Sequence, residues 1–72
     1  MSKLPLVSGK DTIKALVRAG YYVRDQRGSH VHLRHPAKPP LTVPNHDVIK
    51  KGTLNAILKA ANISIDEFKE LL

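Results

Sequence analysis

The stretch QRGSHVHLRHP, residues 26–36, carries three of the chain's four histidines within six residues. Imidazole moves protons near neutral pH and also ligates metals. The cluster therefore offers three chemistries: proton transfer, metal binding, or a polar strand face that does neither. Spacing weighs between them. On a strand, His30 and His32 share one face with Cα atoms roughly 6.5 Å apart, a workable ligand pair for zinc or copper. His35 alternates to the opposite face unless the strand ends or bulges first. No carboxylate falls in register as a third ligand, and His46 can join only through tertiary folding. The pattern disfavours a metal centre, and no metal or other cofactor is expected. His32 and His35 read as polar surface. His30 differs because it directly follows Gly28 and Ser29, at the mouth of a turn where backbone N–H groups can approach an anion. An imidazole there can reach a phosphodiester and exchange a proton with it.

The elements that must position His30 follow from the pattern around it. YYVRDQ and HVHLRH read as two short strands, joined through RGS with Gly28 at a positive-φ turn position. Val31 and Leu33 point to the core, and His30, His32 and Arg34 point to the open face. PAKPP is a rigid, donor-poor link that cannot be a central strand. LTVPN is a short third strand ending at Pro44. Upstream, VSGKDTIKALVRAGYY reads as a helix with Ser8 as N-cap and Asp11 completing a capping box. Its apolar face is expected to be Ile13, Leu16 and Val17. Gly20 fits the left-handed position that closes it. Downstream, KKGTLNAILKAANIS is a second helix with Leu54, Ile57, Leu58 and Ala61 on its apolar face. Asp47 and Thr53 are its rival caps, and Asn62 is its terminator. SIDEFKELL starts a last helix with a Ser64–Glu67 capping box, packed down by Ile65, Phe68, Leu71 and Leu72. The order is α-β-β-β-α plus a short C-terminal helix. It predicts an α+β two-layer domain, an antiparallel three-stranded sheet with helices on one face. The other face is left open and carries the histidines.

Composition narrows the partners. The 72 residues are expected to form a single domain, 1–72, near the size where one core just suffices. With no cysteine, disulfides, Cys-based zinc sites and thiol catalysis are excluded, and a reducing cytoplasm is the expected location. The first residues lack the apolar run of a signal peptide, and no stretch is long enough to span a bilayer, so no membrane partner is expected. Net charge is +6, and it is uneven. Through Lys59, eleven basic residues face three acidic ones; from Ala60 onward, one faces three. A basic body with an acidic end points to a polyanion, nucleic acid above all. Lys10, Lys14 and Arg18 form a basic stripe on the first helix, suited to tracking a phosphate backbone. SGKDT is not a phosphate loop, since the first glycine is missing and Asp11 stands in the Ser/Thr place.

AGYY closing a helix, then GSH, a short strand, a proline-rich link, VPNH and KKGTLNAILKAANISIDEF together resemble the HicA family. These are small mRNA-cleaving ribonuclease toxins of bacterial toxin–antitoxin pairs. The resemblance spans almost the whole chain. It implies a fold similar to double-stranded-RNA-binding domains, which agrees with the element order. It also implies that His30 is the catalytic residue, that no metal takes part, and that a HicB-type antitoxin silences the toxin. Many relatives carry a second histidine directly after the first, where this chain has Val31. The resemblance does not settle what His46 does, and support of its loop is the reading favoured here.

The expected activity is endonucleolytic cleavage of single-stranded mRNA, with His30 as general acid or base. Gly28 and Ser29 would seat the phosphate. Arg24, expected on the face of His30 if the register holds, or Arg34 would stabilise the phosphorane. Lys10, Lys14, Arg18, Lys50 and Lys51 are candidate backbone contacts. The rival is a non-catalytic RNA-binding module of the same fold. A third reading is an inactive relative that serves only to bind an antitoxin.

Overall fold

A computed structural model describes residues 3–72. Its elements are α1 (Gly9–Arg18), β1 (Tyr22–Arg27), β2 (His30–Arg34), β3 (Leu41–Pro44), α2 (Lys51–Ala61) and α3 (Ile65–Leu71). The strands form one antiparallel sheet in the order β1-β2-β3. This is the expected α+β architecture, with the α-β-β-β-α order of double-stranded-RNA-binding domains and an added C-terminal helix. No helix among the described residues is long and apolar enough to cross a membrane.

Period-two patterning builds the sheet. Val31 and Leu33 on β2 are buried, and they pair across the ladder with Val43 and Leu41 on β3, which are buried too. The alternate residues His30, His32 and Arg34 lie on the opposite face, as expected. β1 departs from the simple reading. It is exposed along its whole length, and its pairing with β2 slips between Val23 and Asp25. That bulge, with Arg24, Asp25 and Arg27, blunts an edge that would otherwise invite pairing with another strand. Tyr21 lies outside β1. It is buried, and its hydroxyl donates to the Pro39 carbonyl at 3.1 Å, which pins the proline-rich link to the core. Burial pushes its phenol pKa up.

Helix ends follow local chemistry. Ser8 Oγ accepts from the Asp11 N–H at 3.0 Å, but the reciprocal half of the expected box is absent. Aspartate is one methylene shorter than the glutamate that closes such boxes. At the far end, Gly20 (φ 104°) donates to the Val17 carbonyl and Tyr21 donates to that of Leu16. These are the two bonds of a Schellman motif. Asn62 (φ 55°) ends α2 in the same way, with bonds from Asn62 to Lys59 and from Ile63 to Leu58. The α3 capping box between Ser64 and Glu67 is complete.

Three expectations about packing change. The buried face of α1 is Gly9, Thr12, Ala15 and Leu16, with Ile13 at its margin and Val17 turned out to solvent. Small residues let α1 sit close to its neighbours, and buried Thr12 is satisfied by donating to the Ser8 carbonyl at 2.9 Å. Neither Asp47 nor Thr53 caps α2. Lys50 holds the N-cap position and makes no side-chain cap bond. The reason is tertiary: buried Ile49 donates to the Val7 carbonyl at 2.9 Å, so the chain is anchored to the core until the residue before the cap. Leu72 lies past the last turn of α3 and is exposed, whereas Phe68 is fully buried.

Candidate functional site: an imidazole cleft at the hairpin end

Gly28 and Ser29 form the two-residue connection between β1 and β2. Gly28 has φ 57° and Ser29 is not among the positive-φ residues, the arrangement in which a type II′ turn places glycine first. Gln26 braces the turn by donating from Nε2 to the Gly28 carbonyl at 2.9 Å. His30 is thus the first residue of β2, opposite Arg27 on one side and Pro44 on the other. Its ring is exposed, and among the described residues it has no hydrogen-bond partner.

Backbone bonds bring a distant loop to this hairpin end. Asn45 donates to the Ser29 carbonyl at 2.6 Å, so the turn and the segment after β3 are tied together. The His46 carbonyl accepts from the Gly9 N–H at 2.8 Å, and the His46 N–H donates to the Pro44 carbonyl at 2.9 Å. The first residue of α1 therefore presses on the loop from below. A Cβ on Gly9 would meet the Pro44 carbonyl oxygen and come within 2.6 Å of the Asn45 Cα. The outcome is an open cleft of about 440 Å³. The sheet contributes His30, Thr42 and Pro44, while the loop and the start of α2 contribute His46, Lys50 and Thr53. No carboxylate lines it. A cationic side chain and two imidazoles facing one cavity suit an anionic ligand.

The other expected residues are distributed more widely. His32 Nδ1 lies 2.5 Å from Asp25 Oδ1 across the β1–β2 ladder, so this imidazole is engaged. The hydrogen bond to His32 is the main reason the Asp25 carboxyl is held below the usual aspartate range. Desolvation opposes it, and the charges of His32, Arg24 and Arg27 add to it. Arg24 is the residue for which the bulge leaves no cross-strand partner, and its Nε lies 4.0 Å from Asp25 Oδ2. The regular register on which Arg24 was expected to share the face of His30 is broken at this point. Arg27 lies opposite His30 instead, and counting back from the two-residue turn would have found it. Arg34 is at the far end of β2, paired with Tyr22 and donating weakly to the Leu33 carbonyl at 3.4 Å. Lys14 and Arg18 border a separate groove with Leu6 and Leu72, and Arg18 Nη1 donates to the Leu71 carbonyl at 2.5 Å. Lys10 and Lys51 are exposed and line neither cavity. Lys50 alone of the expected basic residues reaches the His30 cleft.

β2 ends before His35, whose ring stacks edge-on to Tyr21 at 4.9 Å and accepts from the Ala37 N–H at 2.9 Å through Nδ1. Among the described residues, no group of three or more His, Asp or Glu is arranged to hold a metal ion.

A family model described as the HicA toxin of bacterial toxin–antitoxin systems matches residues 9–63, more than half of the chain. The match takes in the hairpin, the loop with His46 and the start of α2. No curated protein matches the chain.

Proposed function

The chain belongs to the HicA family of bacterial toxins, and on that premise we propose that it is an endoribonuclease that cleaves mRNA through His30. A toxin of such a pair implies a partner antitoxin, and a HicB-type protein covering the cleft is the form of inhibition proposed. The observation that carries the reading is the state of His30: an exposed imidazole, without a hydrogen-bond partner among the described residues, at the lip of a cleft that also holds Lys50. Side chains left unpaired by the fold remain available to substrate.

The reaction is transesterification. The ribose 2′-oxygen attacks the adjacent phosphorus and forms the O2′–P bond, while the P–O5′ bond breaks. The 2′-OH proton goes to a general base, and the departing O5′ receives a proton from a general acid. The products are a 2′,3′-cyclic phosphate end and a 5′-hydroxyl end, with no net loss of protons. His30 serves in one of these two transfers, worth on the order of a hundred- to ten-thousand-fold. Lys50 offsets the charge that builds on the phosphorane. Gly28 and Ser29 set His30 at the start of β2 and leave the space beside the turn open for phosphate, since even a Cβ on Gly28 would meet nothing within 4 Å. Arg27, opposite His30, joins Lys10, Lys14, Lys51 and Arg24 as a candidate contact to the RNA backbone.

His30→Ala is expected to fold and bind RNA as the parent does, yet to lose cleavage and growth inhibition. A 2′-deoxy sugar at the cut site should block the reaction, since the nucleophile is gone. Cleavage by His30→Ala at the parent's rate would refute the mechanism. Binding without cleavage by the parent itself would favour the non-catalytic RNA-binding module.

A further inference from the structure

The favoured role for His46, supporting its own loop, does not match what its side chain does. The loop is held by backbone: Gly9 to His46, His46 to Pro44 and Asn45 to Ser29. Among the described residues the imidazole of His46 makes no hydrogen bond, and it is exposed. The fold therefore fixes the position of this residue tightly and leaves its ring unused. That ring lines the cavity that His30 lines, with Lys50 on the same wall.

From this we propose that His46 is a second proton-transfer residue of the His30 site, so that the two imidazoles flank the scissile phosphodiester and Lys50 neutralises it. The inference rests on the ribonuclease reading and extends it. A 2′-OH attack needs one group to take a proton and another to give one, and a single histidine cannot do both at once within one turnover. The cavity supplies no carboxylate for the second task, and the one nearby carboxylate–imidazole pair, Asp25 and His32, is bonded to itself. With Lys50 assigned to charge neutralisation, His46 is the remaining imidazole in the cleft. Besides His30 and Lys50, Asp47 is its neighbour in the chain, and Lys10 and Asp11 follow Gly9 in the first turn of α1, though none of the three lines the cleft.

The test compares the parent with His46→Ala, His46→Gln and His30→Ala on a short RNA, over a range of pH. A second substrate carries sulfur in place of the bridging 5′-oxygen, so that its leaving group departs without a proton. Both His46 variants are expected to melt as the parent does and to cleave the oxygen substrate about a hundred- to ten-thousand-fold more slowly. Each should lose one limb of the parent's bell-shaped rate profile. The sulfur substrate should restore cleavage to the variants of one histidine, the acid, and not to those of the other. His46 variants that keep the parent's rate and both limbs overturn this inference alone. So do slow variants that keep both limbs while sulfur rescues neither histidine, because that is the mark of a positional role. A parent protein that leaves RNA intact overturns the ribonuclease reading, and the role of His46 falls with it.

Discussion

Of the histidines in the opening cluster, His30 and His32 share a strand face, yet their partners separate them. Asp25 sits directly across from His32 and engages its ring, whereas the residue across from His30 is Arg27, which offers it no acceptor. The pair has a consequence for acid stability. Asp25 is held below the ordinary aspartate value in the folded protein, first by its hydrogen bond to His32. On acidification the unfolded chain takes up this proton before the folded one does. The pair's contribution is therefore present above about pH 4 and is lost as pH falls through the lowered folded value. Asp25→Asn removes that term. Its melting temperature should lie below the parent's at pH 6, and the two curves should converge in stronger acid. An Asn variant with the parent's full acid slope would show that the pair contributes nothing. The strand alternation that put His32 on the open face was legible in HVHLR. Its partner was not, because the bulge between Val23 and Asp25 shifts β1 by one residue, and a shift of one exchanges the faces. Arg24 was lost from the expected site and Arg27 gained by that same slip.

The elements that read most clearly from sequence are those closed by local bonds. The Ser64–Glu67 box, the left-handed Gly20 and Asn62, and the Gly28 turn all depend on residues within five positions of one another. What could not be read are contacts between segments far apart in the chain. Anchoring of Ile49 to Val7 delays the start of α2, and close seating of α1 turns the Gly9–Thr12–Leu16 face inward in place of Val17. The cleft belongs to this second class, since it exists only where the sheet, the loop after β3 and the start of α2 meet, with Gly9 of α1 against that loop. Two helix glycines separate the classes experimentally. Gly9 has no room for a Cβ against the Pro44–Asn45 backbone, while Gly52, in the first turn of α2, has open space around it. Gly9→Ala should destabilise by about 1–3 kcal/mol through forced backbone displacement. Gly52→Ala should stabilise by about 0.4–1 kcal/mol, since alanine restricts the unfolded chain and favours helix. Denaturant midpoints of the two variants should move in opposite directions. Equal shifts would mean that α1 does not seat on the loop as described.

Over the whole molecule, charge and packing assign different work to the two ends of the chain. Eleven of the twelve basic residues lie before Ala60, and the acidic excess lies at the C-terminal end, on and around α3. From sequence this looked like an acidic tail on a basic body. In the fold α3 is part of the body, although it lies beyond the residues the family model matches. Phe68 is fully buried in the same core as Leu16, Leu33, Leu54 and Leu58, and Arg18 reaches from α1 to the Leu71 carbonyl. A chain of this size gains little stability beyond its core, of the order of 3–5 kcal/mol in all. Truncating one buried aromatic costs about 3–5 kcal/mol, a comparable amount. Phe68→Ala should therefore leave much of the protein unfolded at 25 °C. Lys69→Ala, an exposed change in the same helix, should stay within about 0.5 kcal/mol of the parent. Circular dichroism across a urea series reads both. A Phe68→Ala protein with the parent's midpoint would make α3 a dispensable appendage. The expected loss would instead make it the clamp that holds α1 against the sheet, and with α1 the Gly9 contact on which the His46 loop rests.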